Sequence, residues 1–313
     1  TTDGIGVFME RFSNTCREVA QGGRRGALML SVSVHHPEIR TFINIKKDLK
    51  KVTGANISIR LSDEFMNAVK SDDSYQLRWP VDSTDPTVSQ TVSAKDIWNE
   101  IIDSAWTSAE PGLLFWDNIK KFSPADAYEE FQTTSTNPCG EIVLSPYDSC
   151  RLLLVNVLSF VENKFTEEAS FNYEKFAKVV QVAQRLMDDI IDLELEMIDK
   201  LIAKIESDPE PEEVKAIELN LWKKIRKTCV RGRRTGLGLT AIGDAIAAFN
   251  VVYGTEESVE VIEKIYKVLA INSYRSSIDM AKERGPFEAW NYETEKDHPF
   301  INRSDICSTI TII

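Results

Sequence analysis

An amide, a thiol and a carboxylate stand within five consecutive residues of this chain, in Asn137-Pro138-Cys139-Gly140-Glu141, and a second thiol follows eleven positions later at Cys150. Pro138 fixes its own φ and Gly140 permits backbone conformations that other residues resist. The segment therefore suits a loop that holds Cys139 out from a sheet. A cysteine so placed can be a nucleophile, a metal ligand, a redox partner or a radical carrier. Nucleophilic work calls for a base, most often histidine, to generate thiolate. The three histidines, His35, His36 and His298, are all remote from Cys139 in sequence and show no zinc-ligand spacing. The five cysteines, Cys16, Cys139, Cys150, Cys229 and Cys307, contain no C-x-x-C pair. That spacing supports neither a disulfide framework nor a structural zinc site, and it weakens a simple dithiol-exchange protein. Redox chemistry fits the group better than nucleophilic chemistry. Taken singly, Glu141 reads as a surface carboxylate, Asn137 as a turn amide and Cys150 as an inert thiol.

Three other segments have chemical potential. Gln21-Gly22-Gly23-Arg24-Arg25-Gly26 joins glycines that let a backbone approach a ligand to paired arginines that can clamp a phosphate or stack on a base; its bland reading is a basic helix-to-strand turn. Asp188, Asp189, Asp192, Glu194 and Glu196 lie on one helical stretch, but without a Glu-x-x-His they read as a solvated face. Gly236-Leu237-Gly238-Leu239-Thr240-Ala241 satisfies a dinucleotide fingerprint in form only. The preceding Lys223 to Arg234 is too basic for the apolar strand that fingerprint needs. The segment instead reads as a loop feeding a helix through Ile242 and Ala248, with Arg233 and Arg234 as surface or phosphate contacts.

The elements that must position these groups alternate between helices and short apolar strands, which indicates an α/β architecture. A helix is expected from Val7 to Gln21, stopped by the glycines, with Cys16 on its face; a strand from Leu28 to Val34; and a short helix from His35 to Phe42. Ala55 to Leu61 alternates as a strand, and Ser62 and Ser93 are good N-caps for the helices that follow. Lys70 to Thr91, polar and carrying Pro80 and Pro86, reads as a surface excursion. Leu152 to Val161 reads as one buried strand, Asn172 to Glu206 as a long amphipathic helix, and Glu212 to Arg226 as a basic helix. The chain has 313 residues, 42% of them hydrophobic and 27% charged, as in an ordinary globular protein with a sizeable core. The net charge of −12 argues against broad nucleic-acid binding but allows a local phosphate pocket. No apolar run approaches the length of a membrane span and no leader is evident, so the expected setting is the cytoplasm.

The Asn137-to-Cys150 segment resembles the catalytic finger loop of the large subunit of ribonucleotide reductases, and its Pro-Cys-Gly form is most similar to the adenosylcobalamin-dependent class. Gln21-Gly22-Gly23-Arg24-Arg25-Gly26-Ala27, Gly54-Ala55-Asn56-Ile57-Ser58, Glu110-Pro111-Gly112-Leu113-Leu114-Phe115 and Gly232-Arg233-Arg234-Thr235-Gly236-Leu237-Gly238 agree in the same order. The resemblance implies part of a ten-stranded α/β barrel with the cysteine loop at its centre. Residues 1–136 would hold the first part with the effector-specificity loop and a dimer-type helix, and residues 137–313 the second part with the finger loop. It implies that Cys139 carries a transient thiyl radical, that Glu141 is a general base in a partly desolvated pocket, that Asn137 orients the sugar hydroxyls, and that Cys150 is half of a redox dithiol. Gln21 to Gly26, with Gly22, Gly23, Arg24 and Arg25, would read a bound deoxynucleotide or ATP effector. Adenosylcobalamin is the implied radical source, with a separate metal-containing subunit as the alternative. Implied partners are a ribonucleoside diphosphate, a thioredoxin- or glutaredoxin-like reductant and a second copy in a homodimer, with no metal held by the chain itself. The final strand, Ser308 to Ile313, and the opening segment both read as internal, as in a central piece of a longer catalytic polypeptide. The rival reading is a non-catalytic nucleotide-binding or regulatory fragment.

Overall fold

A computed structural model of the chain describes residues 3–21 and 23–296. It divides into two compact units, Thr1–Asp126 with Gln132–Leu144, and Ala127–Phe131 with Ser145–Ile313. Gly22 and the expected strand from Ser308 to Ile313 lie outside the described residues.

In the first unit the chain runs through α1 (Ile5–Glu18), β1 (Ala20–Gln21), β2 (Arg24–Arg25), β3 (Met29–Ser33), α2 (Ile39–Asn44), β4 (Asn56–Leu61) and α3 (Asp63–Ser71). It continues through β5 (Ser74–Trp79), β6 (Val88–Ser93), α4 (Ala94–Ser108), β7 (Gly112–Phe115), α5 (Trp116–Phe122), β8 (Ser135–Thr136) and β9 (Val143–Leu144). Strands β3, β4 and β7 form a parallel sheet in that order, with Met29 opposite Asn56 and Ser58 opposite Gly112. Ile57, Ile59 and Leu61 from this sheet pack with Phe42, Phe65 and Ile97 in one core. Fully burying each such side chain contributes about 1.5–3 kcal/mol relative to leaving it in water. The caps behave as their chemistry dictates: Ser62 Oγ accepts from Phe65 N–H, and Ser93 Oγ accepts from Asp96 N–H.

Several expectations shift here. Helix α1 ends at Glu18, because Val19 is already extended and leads into β1, and Gly23 lies in the turn of the β1–β2 hairpin that follows. The short helix begins at Ile39, after a turn closed by His36 N–H to Ser33 O. The polar stretch from Lys70 to Thr91 is no simple excursion. Strands β5 and β6 pair antiparallel from Ser74 with Ser93 to Trp79 with Val88, and Tyr75 and Leu77 are buried in the core.

The second unit contains β10 (Leu153–Asn156), β11 (Val161–Glu162), β12 (Ser170–Phe171), α6 (Tyr173–Ser207), α7 (Glu212–Gly232), β13 (Leu237–Thr240), α8 (Ile242–Ala248), α9 (Glu256–Arg284) and α10 (Tyr292–Glu295). Strand β10 pairs in parallel with β13, Leu153 opposite Leu237, and α6 lies against both α7 and α9. The apolar run from Leu152 to Val161 is two short strands joined by a 3-10 turn, because Asn156 Oδ1 takes the Leu158 N–H and bends the chain. Gly236 to Ala241 likewise contains a strand where a loop was expected. Gly238 faces β10 so closely that a Cβ would lie 2.9 Å from a Leu154 methyl. No helix among the described residues is long and apolar enough to cross a membrane.

Candidate active site

Strands β8 and β9 form a narrow hairpin, Ser135 opposite Leu144, whose tip is the Asn137–Ile142 segment. The tip is closed by its own backbone and by one side chain. Asn137 N–H donates to Ile142 O at 3.0 Å, Gly140 N–H to Asn137 O at 3.0 Å, and Ile142 N–H to Asn137 Oδ1 at 2.9 Å. Gly140 sits at φ +85°, a conformation that other residues rarely adopt, which explains the glycine. The result matches the loop expected from the sequence: Cys139 is exposed and Asn137 is buried at its base. Oδ1 of Asn137 is committed to holding the loop. Glu141 is exposed on the same tip, not the partly desolvated carboxylate that was expected.

Cys139 and Pro138 line a cavity of about 370 Å³ within the first unit. Its opposite walls are Cys16 and Arg17 from the last turn of α1, Gly26, and the Thr53–Asn56 approach to β4. Gly54 is there because α1 comes so near: a Cβ would lie 2.4 Å from the Ser13 carbonyl oxygen, while the Gly54 N–H donates to Ser13 Oγ at 2.8 Å. Gly26 approaches Cys16 in the same way, with a Cβ position 2.9 Å from its Sγ. Arg17 Nη1 donates to Thr53 Oγ1 at 2.6 Å and is the cationic side chain on the wall. Cys16, read from sequence as an ordinary helix-face residue, is thus a second thiol on this cavity. Its neighbours come from loops remote in sequence, so no local spacing announced it.

The Gln21–Gly26 segment is a small hairpin, with Gln21 opposite Arg24 and Gly23 at φ +82°. Arg24 is exposed, and Gly26 brings the end of the hairpin to the cavity wall.

Cys150 belongs to the second unit, where it is exposed between two anchored neighbours. Ser149 Oγ donates to Glu194 Oε1 at 3.0 Å, and Arg151 Nε donates to Glu194 Oε2. Arg151 is buried; it also donates to the Arg234 carbonyl at 2.9 Å and to Cys229 Sγ at 3.1 Å. Burial pushes the Cys229 thiol above its ordinary value, opposed by the nearby Arg151, so Cys229 stays a protonated, inert thiol. Arg234 reaches Asp148, whose other oxygen accepts the Ser149 N–H at 2.9 Å.

In the acidic stretch of α6, Asp192 and Glu196 are exposed as a solvated face would be, but Asp188 is mostly buried and Asp188, Asp189 and Asp192 are all ion-paired. Asp188 accepts from Arg233 Nε at 2.8 Å and Arg284 Nη1 at 2.9 Å, Asp192 from Arg233 Nη1 at 2.8 Å, and Asp189 from Arg284 Nη1 at 3.0 Å. The carboxylates lie close enough together to hold a cation, and two guanidinium groups supply that charge. Arg233 and Arg234 are therefore internal ion-pair partners, where surface or phosphate contacts were expected.

Residues 1–301 match the family model described as ribonucleotide reductase, barrel domain, and the chain belongs to that family. Among its relatives, it is 31% identical over 293 residues to a protein of Thermoplasma acidophilum named vitamin B12-dependent ribonucleoside-diphosphate reductase, covering 93% of this chain and 34% of that one. A protein of Mycobacterium tuberculosis with the same name is 27% identical, over 93% of this chain and 37% of its own length. A vitamin B12-dependent ribonucleotide reductase of Streptomyces clavuligerus is 26% identical, over 90% of this chain and 29% of its own length. The chain spans about a third of the length of these relatives.

Proposed function

We propose that this chain is the part of an adenosylcobalamin-dependent ribonucleotide reductase that carries the radical cysteine and the substrate-facing wall of the site, within a ten-stranded barrel. The observation that carries the reading is the exposed Cys139 on a hairpin tip turned by Gly140, beside a cavity whose other walls are the Gly26 and Gly54–Asn56 segments. Bound adenosylcobalamin supplies a radical able to take a hydrogen atom from a thiol, and an exposed thiol on an open tip fits a radical source from outside these residues.

Cys139, as a thiyl, takes the 3′ hydrogen atom of the ribose and later returns one. Glu141 accepts the proton of the 3′-hydroxyl, for which a carboxylate on the same tip is well placed. Asn137 offers its Nδ2 to the sugar hydroxyls while Oδ1 holds the loop. Overall, the C2′–O bond is replaced by C2′–H and the oxygen leaves as water. Two thiols, Cys150 and a partner cysteine, give up two electrons and two protons to become one disulfide. A thioredoxin- or glutaredoxin-like protein would reduce that disulfide again. The Gln21–Gly26 hairpin, bordering the cavity through Gly26, is where effector identity would reach the substrate base, in a homodimer of the full-length protein.

The test is conversion of CDP to dCDP by the full-length protein with a dithiol, a nucleotide effector and adenosylcobalamin as sole radical source, beside Cys139→Ala. Product that disappears in the variant supports both the thiyl role and the cobalamin class. No product until a metal-containing partner subunit is added would replace the cobalamin assignment, and no product even then would favour a regulatory fragment.

A further inference from the structure

Two of the shared motifs, Gly54–Ser58 and Glu110–Gly112, carry none of the chemistry above, yet both converge on the cysteine loop. The bonds that close the Asn137–Ile142 tip are all internal to the hairpin and leave its position against the sheet undetermined. Among the described residues a side-chain hydrogen bond crosses from the sheet to the tip: Asn56 Nδ2 donates to the carbonyl of Pro138, 82 residues away, at 2.7 Å. That carbonyl belongs to the peptide bond leading into Cys139, so the bond acts one atom from the cysteine's own backbone nitrogen.

The base from which Asn56 reaches is itself braced. Asn56 N–H donates to Leu28 O at 2.8 Å, which seats it at the first rung of the β3–β4 ladder. The next residue, Ile57, gives its N–H to Glu110 Oε1 at 3.0 Å. The other Glu110 oxygen takes Lys46 Nζ, which also donates to the carbonyl of Ala55. A mostly buried carboxylate–ammonium pair therefore grips the chain on both sides of Asn56. Gly112 keeps β7 close enough to do this, since a Cβ there would lie 2.7 Å from Ser58 Oγ.

We propose that Asn56 is a positioning residue for Cys139: its amide latches the cysteine loop to the sheet, and the Glu110–Lys46 pair holds the latch rigid. This rests on the reductase reading for its catalytic consequence, though not for its structural one. A latch of this kind fixes where the sulfur sits over the cavity, and hydrogen transfer is sensitive to displacements well under 1 Å.

The experiment compares Asn56→Leu, which keeps the volume and loses the donor, with Asn56→Gln, which keeps a donor, in the full-length protein. Asn56 is exposed and its side chain makes no other hydrogen bond among the described residues, so both variants retain the fold, checked by an unchanged Tm. The first readout is alkylation of Cys139 by iodoacetamide, followed by peptide mass spectrometry with Cys150, which lies in the other unit, as the internal reference. Losing one net hydrogen bond frees the tip and raises the Cys139 rate about threefold to tenfold in Asn56→Leu, with Cys150 unchanged and Asn56→Gln nearer the parent. The second readout is CDP reduction, where kcat falls at least tenfold in Asn56→Leu and KM stays within about twofold. Cys139 alkylation equal to the parent in Asn56→Leu overturns the latch, whatever happens to activity. If the parent makes no dCDP with adenosylcobalamin or with a metal-containing partner subunit, the reductase reading fails and the alkylation result still decides the latch.

Discussion

Two exposed cysteines of this chain, Cys139 and Cys150, are held by opposite kinds of physics. Cys139 rides on a tip shaped by backbone hydrogen bonds, one positive φ and two neutral amides, Asn137 within the loop and Asn56 from the sheet. Cys150 is flanked by Ser149 and Arg151, which share the Glu194 carboxylate in a network that also takes in a buried guanidinium, Arg234 and Asp148. A neutral latch is worth little stability and can be remade at small cost, whereas a buried ion network is costly to break. The contrast suits the proposed chemistry: a cysteine that exchanges a hydrogen atom with substrate needs exact placement and fine adjustment, and one that cycles between thiol and disulfide needs a backbone that does not yield.

The contrast can be broken in order of effect. The largest change is expected for Glu141→Gln in the full-length enzyme, which keeps shape and removes the base: kcat for CDP reduction should fall about 10²- to 10⁴-fold with Tm unchanged. Undiminished turnover would detach the carboxylate from the chemistry. Next is Arg151→Met, which strands Glu194 and removes the donor to Cys229; a loss of about 3 kcal/mol is expected in urea unfolding. A cost under about 1 kcal/mol would mean the Cys150 side is no stiffer than the Cys139 side. Gly54→Ala pushes a methyl into the Ser13 carbonyl and should cost about 2 kcal/mol, measured the same way, while widening the cavity mouth.

The smallest effect is on pH. His35 is buried against the Tyr75 hydroxyl at 2.7 Å, with Ser62 at 3.1 Å and Glu64 at 3.7 Å. Burial, with Arg78 adding to it and Glu64 opposing, pulls its pKa below the usual 6.5. The unfolded chain therefore binds the proton first on acidification, and this contribution to stability is complete above pH 6.5 and lost as pH falls toward the depressed folded value. Tm should drop between about pH 7.5 and about pH 5.5, and the drop should shrink in His35→Gln. Glu64, lowered by its bond to Arg78, adds a second loss only below its ordinary 4.5. An equal slope in the variant would remove His35 from the account.

How much of this could be read from the sequence follows from the range of the forces. The caps at Ser62 and Ser93 were legible because a cap is satisfied within three residues. The loop around Cys139 was legible because Pro138 and Gly140 restrict their own backbones. The β5–β6 hairpin was hidden because Ser, Asp and Pro dominate the count, although Tyr75 and Leu77 alternate as a half-buried strand should. Helix α9 left no clear stripe because its buried face includes Ser258, Asn272, Ser276 and Ser277. The pairing of Arg233 with Asp188 spans 45 residues, and that of Asn56 with Pro138 spans 82. Such partners obey no local spacing, so sequence gave the residues without their company.

The order of the chain has a consequence for how the cysteine is made. Asn56, Lys46 and Glu110, with the whole β3–β4–β7 sheet, leave the ribosome before Cys139 does. Domains form progressively from the N-terminus during synthesis, so the hairpin emerges onto a surface already assembled. A long loop is then left to close, the one that brings Pro138 back to Asn56, and its closure entropy grows only slowly with length. The thiol is born next to a finished seat and need not wait, exposed on an unfolded chain, for one to be built.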